Sequence, residues 1–345
     1  MISTLSTTKR VSILAGLLAC AFAGAGCHSD KDAGSTTVVS TGTTGGATPN
    51  AGGKTMLAFV TNGPSDYWTL CRKGTEAEAR ELGNVSVQWT VPSDSTAATQ
   101  KGQVDDLIAK GVKGIAISPV DPANMTPDIN RWVAQVPLIT SDSDAANSNR
   151  LCYIGTDNHA AGVMAGSVIK SALPQGGKIM LFVGKRDAQN AHDREMGIRD
   201  ALKGSNITIL DVRTDDGDHA RAKQNAADAM TSTPDLAGMV GLWSYNSPAI
   251  YSAVKEAGKQ GKVKIIAFDQ ELDTMNGIKA SAITGTIVQQ PFLFGKQSVE
   301  MLAKLVKGDK SMIPANKLIL VPTQVVNKDN IAQYEADQTK LMGAK

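Results

Sequence analysis

One pattern occurs twice in this chain, once in each half: an apolar strand-like run, a helix-like segment, a second apolar run, and then an aspartate. In the first half Gly114-Ile115-Ala116-Ile117 leads on to Leu138-Ile139-Thr140-Ser141-Asp142. In the second, Gly238-Met239-Val240-Gly241-Leu242 leads on to Ile265-Ile266-Ala267-Phe268-Asp269. Strands that alternate with helices imply parallel sheets covered on both faces. Open sheets of that kind bind ligands beyond the carboxyl ends of their strands. A pattern carried once per half therefore predicts two similar lobes, with Asp142 and Asp269 facing each other across a cleft.

The alternation continues along the chain. Further apolar runs at 56–60, 85–90, 151–154, 178–183, 208–212 and 284–288 are separated by helix-spaced segments such as 74–82, 97–109, 160–172 and 220–230. The expected fold is α/β, with two doubly wound parallel-sheet lobes joined by a three-strand hinge. Residues 55–154 plus 290–320 are expected to form the N-terminal lobe, and 155–289 plus 321–345 the C-terminal lobe. The crossings between lobes fall near 154–156, 289–291 and 320–323. A length of 345 residues suits two domains of roughly 150 residues each.

The first 54 residues have a different character. Lys9-Arg10 precede an apolar run from 11 to 23, which ends in Gly24-Ala25-Gly26-Cys27 and a polar stretch. The run is too short for a permanent bilayer span and reads as a secretory signal. A cysteine at the cleavage point resembles a bacterial lipoprotein signal, with residues 1–27 as the signal segment and Cys27 as the lipid-modified terminus. Cys20 is a rival site, and plain secretion is the other alternative. Residues 28–54 are rich in Gly, Ser and Thr and read as a flexible tether. The chain is thus expected to be exported to the periplasm or cell surface and held at a membrane by a lipid anchor. A net charge of +2 gives no electrostatic footprint for nucleic acid.

Polar and aromatic residues collect where strands end: Thr61-Asn62, Ser118, Ser141-Asp142, Trp243-Ser244-Tyr245-Asn246, Asp269 and Gln289-Gln290. Taken singly, such residues are helix caps and turns. As a set they join carboxylates, amides and aromatics in a chain that is only 4% aromatic.

These positions carry a resemblance. Asn62-Gly63-Pro64-Ser65-Asp66-Tyr67-Trp68, Tyr153-Ile154-Gly155-Thr156-Asp157-Asn158, Asn190-Ala191 with Arg194, Asn246-Ser247-Pro248-Ala249, Phe268-Asp269 and Gln289-Gln290-Pro291 are similar, in order, to motifs of the periplasmic ribose/galactose-type sugar-binding proteins that feed ABC transporters. The resemblance covers nearly all of residues 55–330 and implies the type I periplasmic binding protein fold. It implies a monosaccharide clamped between the lobes by hinge closure, a membrane permease as partner, a monomer, no cofactor, no metal and no catalysis. The ligand contacts it implies are Asn62, Tyr67, Trp68, Asp142, Asn190, Arg194, Tyr245, Asn246, Asp269 and Gln289. The chemistry is consistent: carboxylates accept from sugar hydroxyls, amides donate and accept, and arginine offers a fixed fork of donors. Tyr67 and Trp68 would pack on the C–H face of the ring; a hydrophobic staple at the helix start is the plainer alternative.

The departures matter for specificity. Ribose binders place an arginine after the first aspartate, where this chain has Ser143; they often carry Asn at Ser118 and an aromatic at Gly217. Ribose, glucose, xylose or another polyol therefore stay open. Cys71 and Cys152 are expected toward the cleft side of the first lobe, where an exported protein can pair them as a disulfide; two separate buried thiols are the alternative.

Other motifs fail. Gly52-Gly53-Lys54-Thr55 lacks the earlier glycine of a phosphate loop and precedes its strand. Asp142-Ser143-Asp144 continues with Ala146 where a calcium ligand belongs. The four histidines show no zinc spacing, and no serine sits in a nucleophile elbow. A sugar-responsive repressor would need a DNA-binding segment where the signal and tether lie. A glycosidase would have to use Asp142 and Asp269 as its acid/base pair. The alternative closest to the transport reading is a receptor for a sugar or cyclic-diol signal coupled to a chemoreceptor or sensor kinase.

Overall fold

Two six-stranded sheets of the same design organise residues 53–343, the residues described by the structure, a computed structural model. The expectations for the signal, Cys20, Cys27 and most of the tether lie outside the described residues. Among those described, no helix is long and apolar enough to cross a membrane.

The first half runs β1 (Thr55–Val60), α1 (Tyr67–Leu82), β2 (Val85–Thr90), α2 (Ala97–Ala109), β3 (Gly114–Ile117), α3 (Pro122–Val133), β4 (Leu138–Ser141) and β5 (Tyr153–Gly155). The second runs α4 (Asn158–Ala172), β6 (Gly177–Val183), α5 (Gln189–Leu202), β7 (Ile207–Thr214), α6 (His219–Ser232), β8 (Leu236–Gly241), α7 (Asn246–Glu256), β9 (Lys264–Phe268), α8 (Leu272–Lys279) and β10 (Gly285–Val288). The chain closes with α9 (Pro291–Leu305), β11 (Leu318–Leu320), β12 (Gln324–Asn327) and α10 (Ile331–Gly343).

The sheet orders are β11-β5-β4-β3-β1-β2 and β12-β10-β9-β8-β6-β7. Counted from each lobe's own first strand, both read 2-1-3-4-5 plus a late sixth, the doubly wound order that places a binding crevice where the strand order reverses. All pairings in the first sheet are parallel; in the second, only β10 with β12 is antiparallel. The α/β architecture expected from the alternating pattern is therefore observed. The chain passes between sheets after β5, after β10 and after β11.

The central strands are buried along their whole length, as in β3, β4 and β10, because helices cover both faces. Each sheet has an apolar layer on either side, such as Phe59, Ile139 and Phe294 against Val60, Ile117 and Trp132 in the first. One helix pair per lobe crosses at glycines: Gly74 on α1 meets the backbone of α9 at Phe292, and Gly197 on α5 meets the backbone of α4 at His159. A Cβ at either position would drive into a carbonyl oxygen.

One expectation is corrected. Cys71 and Cys152 are free, fully buried thiols in one apolar cluster; each fills space as a small apolar group, and the bridge is not present. Tyr67 and Trp68 form the first turn of α1, which begins at Tyr67.

Candidate functional site

The two aspartates are built alike. Each follows the fourth strand of its lobe and has a left-handed backbone, with φ of 67° at Asp142 and 66° at Asp269. Asp and Asn tolerate this region better than other non-glycine residues. The neighbouring strand holds each one from both sides. The Asp142 N–H donates to Ile154 at 3.1 Å while its carbonyl accepts from Tyr153 Oη at 2.9 Å. The Asp269 N–H donates to Ile287 at 2.9 Å while its carbonyl accepts from Thr286 Oγ1 at 2.6 Å. A backbone turn that is costly alone is thereby fixed at two equivalent places, and both carboxylates enter one cavity.

In the first lobe, Tyr67 Oη donates to Asp142 Oδ1 at 3.0 Å and Ser118 Oγ to Asp142 Oδ2 at 2.9 Å. Fully buried Gln100 ties the ends of β1 and β3 together, donating to the Thr61 and Ser118 carbonyls at 2.8 and 2.7 Å and accepting from the Val120 N–H. Trp68 Nε1 donates to Asn62 Oδ1 at 3.2 Å, and the Trp68 ring meets Phe59 and Trp89. Trp68 thus serves as core and as cavity wall at once.

In the second lobe, Arg194 is 1% exposed. The close approach of α4 and α5 at Gly162 and Gly197 seats it: Nε donates to Asn158 Oδ1 at 3.0 Å, and Nη1 to the Leu242 carbonyl at 2.6 Å. Its guanidinium lies 4.5 Å over the Phe268 ring. Nη2 is buried without a partner. Gln289 Nε2 reaches both Asp269 oxygens, at 3.1 and 3.3 Å, leaving its own Oε1 buried and unpaired. One buried donor and one buried acceptor among the wall residues are thus without a partner.

Of the ten expected contacts, nine line this one cavity: Asn62, Tyr67, Trp68, Asp142, Asn190, Arg194, Tyr245, Asp269 and Gln289. Asn246 does not. It lies behind the wall, where Nδ2 donates to Asp215 Oδ2 at 2.8 Å and Oδ1 accepts from the Trp243 N–H at 3.0 Å; capping the turn before α7 uses up its polar atoms. Sequence reasoning missed Trp243 and Ser244 as wall residues, although both stood in the strand-end cluster. It also missed Asp215, a fully buried carboxylate bonded by Tyr245 Oη and by the Gly217 N–H. His192 is exposed and outside the wall.

The wall draws on both lobes. Asn190 Nδ2 lies 3.5 Å from Asp142 Oδ2, and Trp243 Nε1 donates to Asn190 Oδ1 at 3.2 Å. At the rim, Ser65 Oγ and Ser244 Oγ are 3.0 Å apart, and Ser244 donates to Glu271 Oε1 at 2.8 Å. The cavity volume is about 50 Å³, several times the roughly 10–15 Å³ that one water needs.

Burial sets the electrostatics. It pushes the Asp269 carboxyl up to about 6, with Arg194 and Gln289 opposing and Asp142 reinforcing. It raises Asp142 in the same direction against Arg194, Ser118 and Tyr67. Asp215 and Glu271 are raised by burial too. Among the described residues, no cluster of histidine, cysteine or carboxylate side chains could hold a metal ion.

Comparison with known proteins places this geometry. A model of the periplasmic binding protein domain matches residues 57–310. A ribose import binding protein of Haemophilus influenzae is 27% identical over 259 residues, covering 74% of this chain and 87% of that one. A D-allose-binding periplasmic protein of Escherichia coli is 28% identical over 262 residues, 73% of this chain and 84% of the other. A crystal structure of an ABC transporter solute-binding protein from Burkholderia graminis in complex with D-arabinose superposes with a TM-score of 0.77 at 30% identity, covering 82% of this chain and 98% of that one.

Proposed function

We propose that this chain, which belongs to the periplasmic binding protein family, is an exported solute-binding protein that clamps one monosaccharide between its lobes and presents it to an ABC transporter permease. The observation that carries the reading is the convergence of Asp142, Arg194, Asp269 and Gln289 on one buried cavity, with two of their polar atoms unpaired. Carboxylates, an amide and a fixed guanidinium match hydroxyls that both donate and accept. Tyr67, Trp68, Trp243 and Tyr245 give flat apolar faces for the ring. A cavity volume near 50 Å³ favours a ligand of one small ring.

Because bonds to the ligand come from both lobes, they are complete only when the lobes are closed. Ligand then shifts the population toward the closed form by a hinge motion. The segments to flex are those between sheets, near 155–158, 288–291 and 320–324. Relatives that carry the names of ribose, allose and arabinose binders favour a pentose or hexose. Export, a lipid anchor at Cys27 and a monomeric state complete the proposal on the strength of the sequence.

A thermal-shift screen against pentoses, hexoses and polyols tests it. Ligand at 100 times its Kd stabilises by about 2.7 kcal/mol, and the sugar must be recovered chemically unchanged. Conversion of the sugar would point to an enzyme, and a flat response to all three classes would remove the binding reading.

A further inference from the structure

The buried charges around the cavity do not balance. Asp142 and Asp269 stand in the wall, fully buried Asp215 lies behind Tyr245, and part-buried Glu271 lies behind Ser244. Against these four carboxylates, Arg194 is the one buried cation that touches the cavity. The other buried arginine among the described residues, Arg150, is taken up by Asp144 through both Nε and Nη2. His219 stacks on the outer face of Tyr245, but it is exposed and does not line the cavity. Ser143 occupies the place where ribose binders carry a second arginine, and it is buried without a partner for its hydroxyl.

Among the fully buried wall side chains, the unpaired donor is Arg194 Nη2. The unpaired acceptor is Gln289 Oε1, and the carboxylates keep lone pairs beyond their present bonds. A hydroxyl brings one donor but also lone pairs that need donors in turn; an ammonium brings three donors, no acceptor and a positive charge. Buried carboxylates without a cation are costly, and burial has already pushed Asp269 up to about 6. Tyr67 and Trp68 add aromatic faces, which attract cations.

Building on the monosaccharide reading above, we propose that the ligand carries a protonated amine: an amino sugar or amino polyol of monosaccharide size. Its ammonium lodges at the Asp269 carboxylate, and a ligand oxygen accepts from Arg194 Nη2. The amine supplies the cation that the Ser143 position lacks.

Calorimetric titration with matched pairs at neutral pH and low salt tests this. The probes are glucosamine and glucose, galactosamine and galactose, and 3-amino and 6-amino hexoses with their parents, together with the N-acetyl forms of the amines. At least one amine is expected to bind about tenfold or more tightly than its parent, a gap of about 1.4 kcal/mol. N-acetylation is expected to abolish that advantage, and Asp269→Asn to shrink it to within about threefold. Neutral parents that bind as tightly as every amine would overturn the amine assignment and leave the monosaccharide reading standing. Silence from the whole panel would remove both.

Discussion

At the residue scale, the site stores electrostatic cost for use in binding. Asp269 is held charged at neutral pH inside a wall that raises its pKa to about 6, above the ordinary aspartate value near 3.9. A carboxyl raised in this way stabilises the ligand-free fold fully below about pH 4, and that contribution is lost as pH rises through about 6. Asp269→Asn removes the charge but keeps an amide that accepts the left-handed backbone. The variant should therefore stabilise the ligand-free protein by about 1–3 kcal/mol at neutral pH, seen in denaturant melts, while weakening ligand binding by about 100-fold or more. Equal stability of variant and parent at neutral pH would contradict the cost. Binding runs the other way with pH, because a carboxylate must be charged to accept from the ligand. Below about pH 6, Kd should rise toward tenfold per pH unit as a proton competes at Asp269, and a Kd that stays level from pH 7 to pH 5 would refute the assignment.

These residue-scale facts were partly legible in the chain itself. Asp142 and Asp269 stood out because an aspartate that ends a buried apolar run has few reasons to be there. Asp215 gave no such signal. It follows the half-exposed strand β7, and its burial comes from Tyr245 and Asn246, which arrive from a different strand end. A contact made only by tertiary packing leaves no local trace. Asn246 misled for the converse reason: a polar residue at a strand end is as often a turn cap as a ligand group, and here the cap won. The disulfide expected from Cys71 and Cys152 rested on export and rough placement, and two small apolar neighbours satisfy the same positions.

At the element scale, the glycines at the α4–α5 crossing decide where Arg194 sits. Gly197→Ala would put a methyl into the backbone of α4 at His159, and overpacking of that kind costs about 1–3 kcal/mol. The helices must part, so Arg194 moves and affinity should fall together with stability. Gly102 is the control: it lies in α2, exposed, and a Cβ there meets nothing within 4 Å. Gly102→Ala should stabilise by about 0.5–1 kcal/mol and leave affinity unchanged. If both variants bind like the parent, the crossing does not position the guanidinium. The strand–helix alternation was readable because fully buried strands are near-continuous apolar runs. The start of α1 was not, since Asp66 caps it without a side-chain bond and its first turn is made of the two aromatics that also form the wall.

At the scale of the whole molecule, the two lobes repeat one design with one strand order, and the cleft lies where both sheets present their carboxyl ends. Among the described residues, side-chain bonds across the cleft include Ser65 with Ser244 and Asn190 with Asp142. Bonds of this kind are worth about 1 kcal/mol each, so ligand bonds made to both lobes should supply much of the energy of closure. Solution scattering should therefore show a smaller radius of gyration with ligand than without, and Ser65→Ala should loosen the closed form only slightly. A radius that is unchanged at saturation would argue against hinge closure.

The central claim is that one monosaccharide-sized ligand bridges Asp142 and Arg194 to Asp269 inside the cleft. Calorimetric titration of the parent and of Asp269→Asn with the tightest compound from the sugar and amino-sugar panel tests it most directly. The expected result is one site per chain in the parent and a loss of about 100-fold in the variant. Binding of equal strength in both, or a stoichiometry other than one, would contradict it.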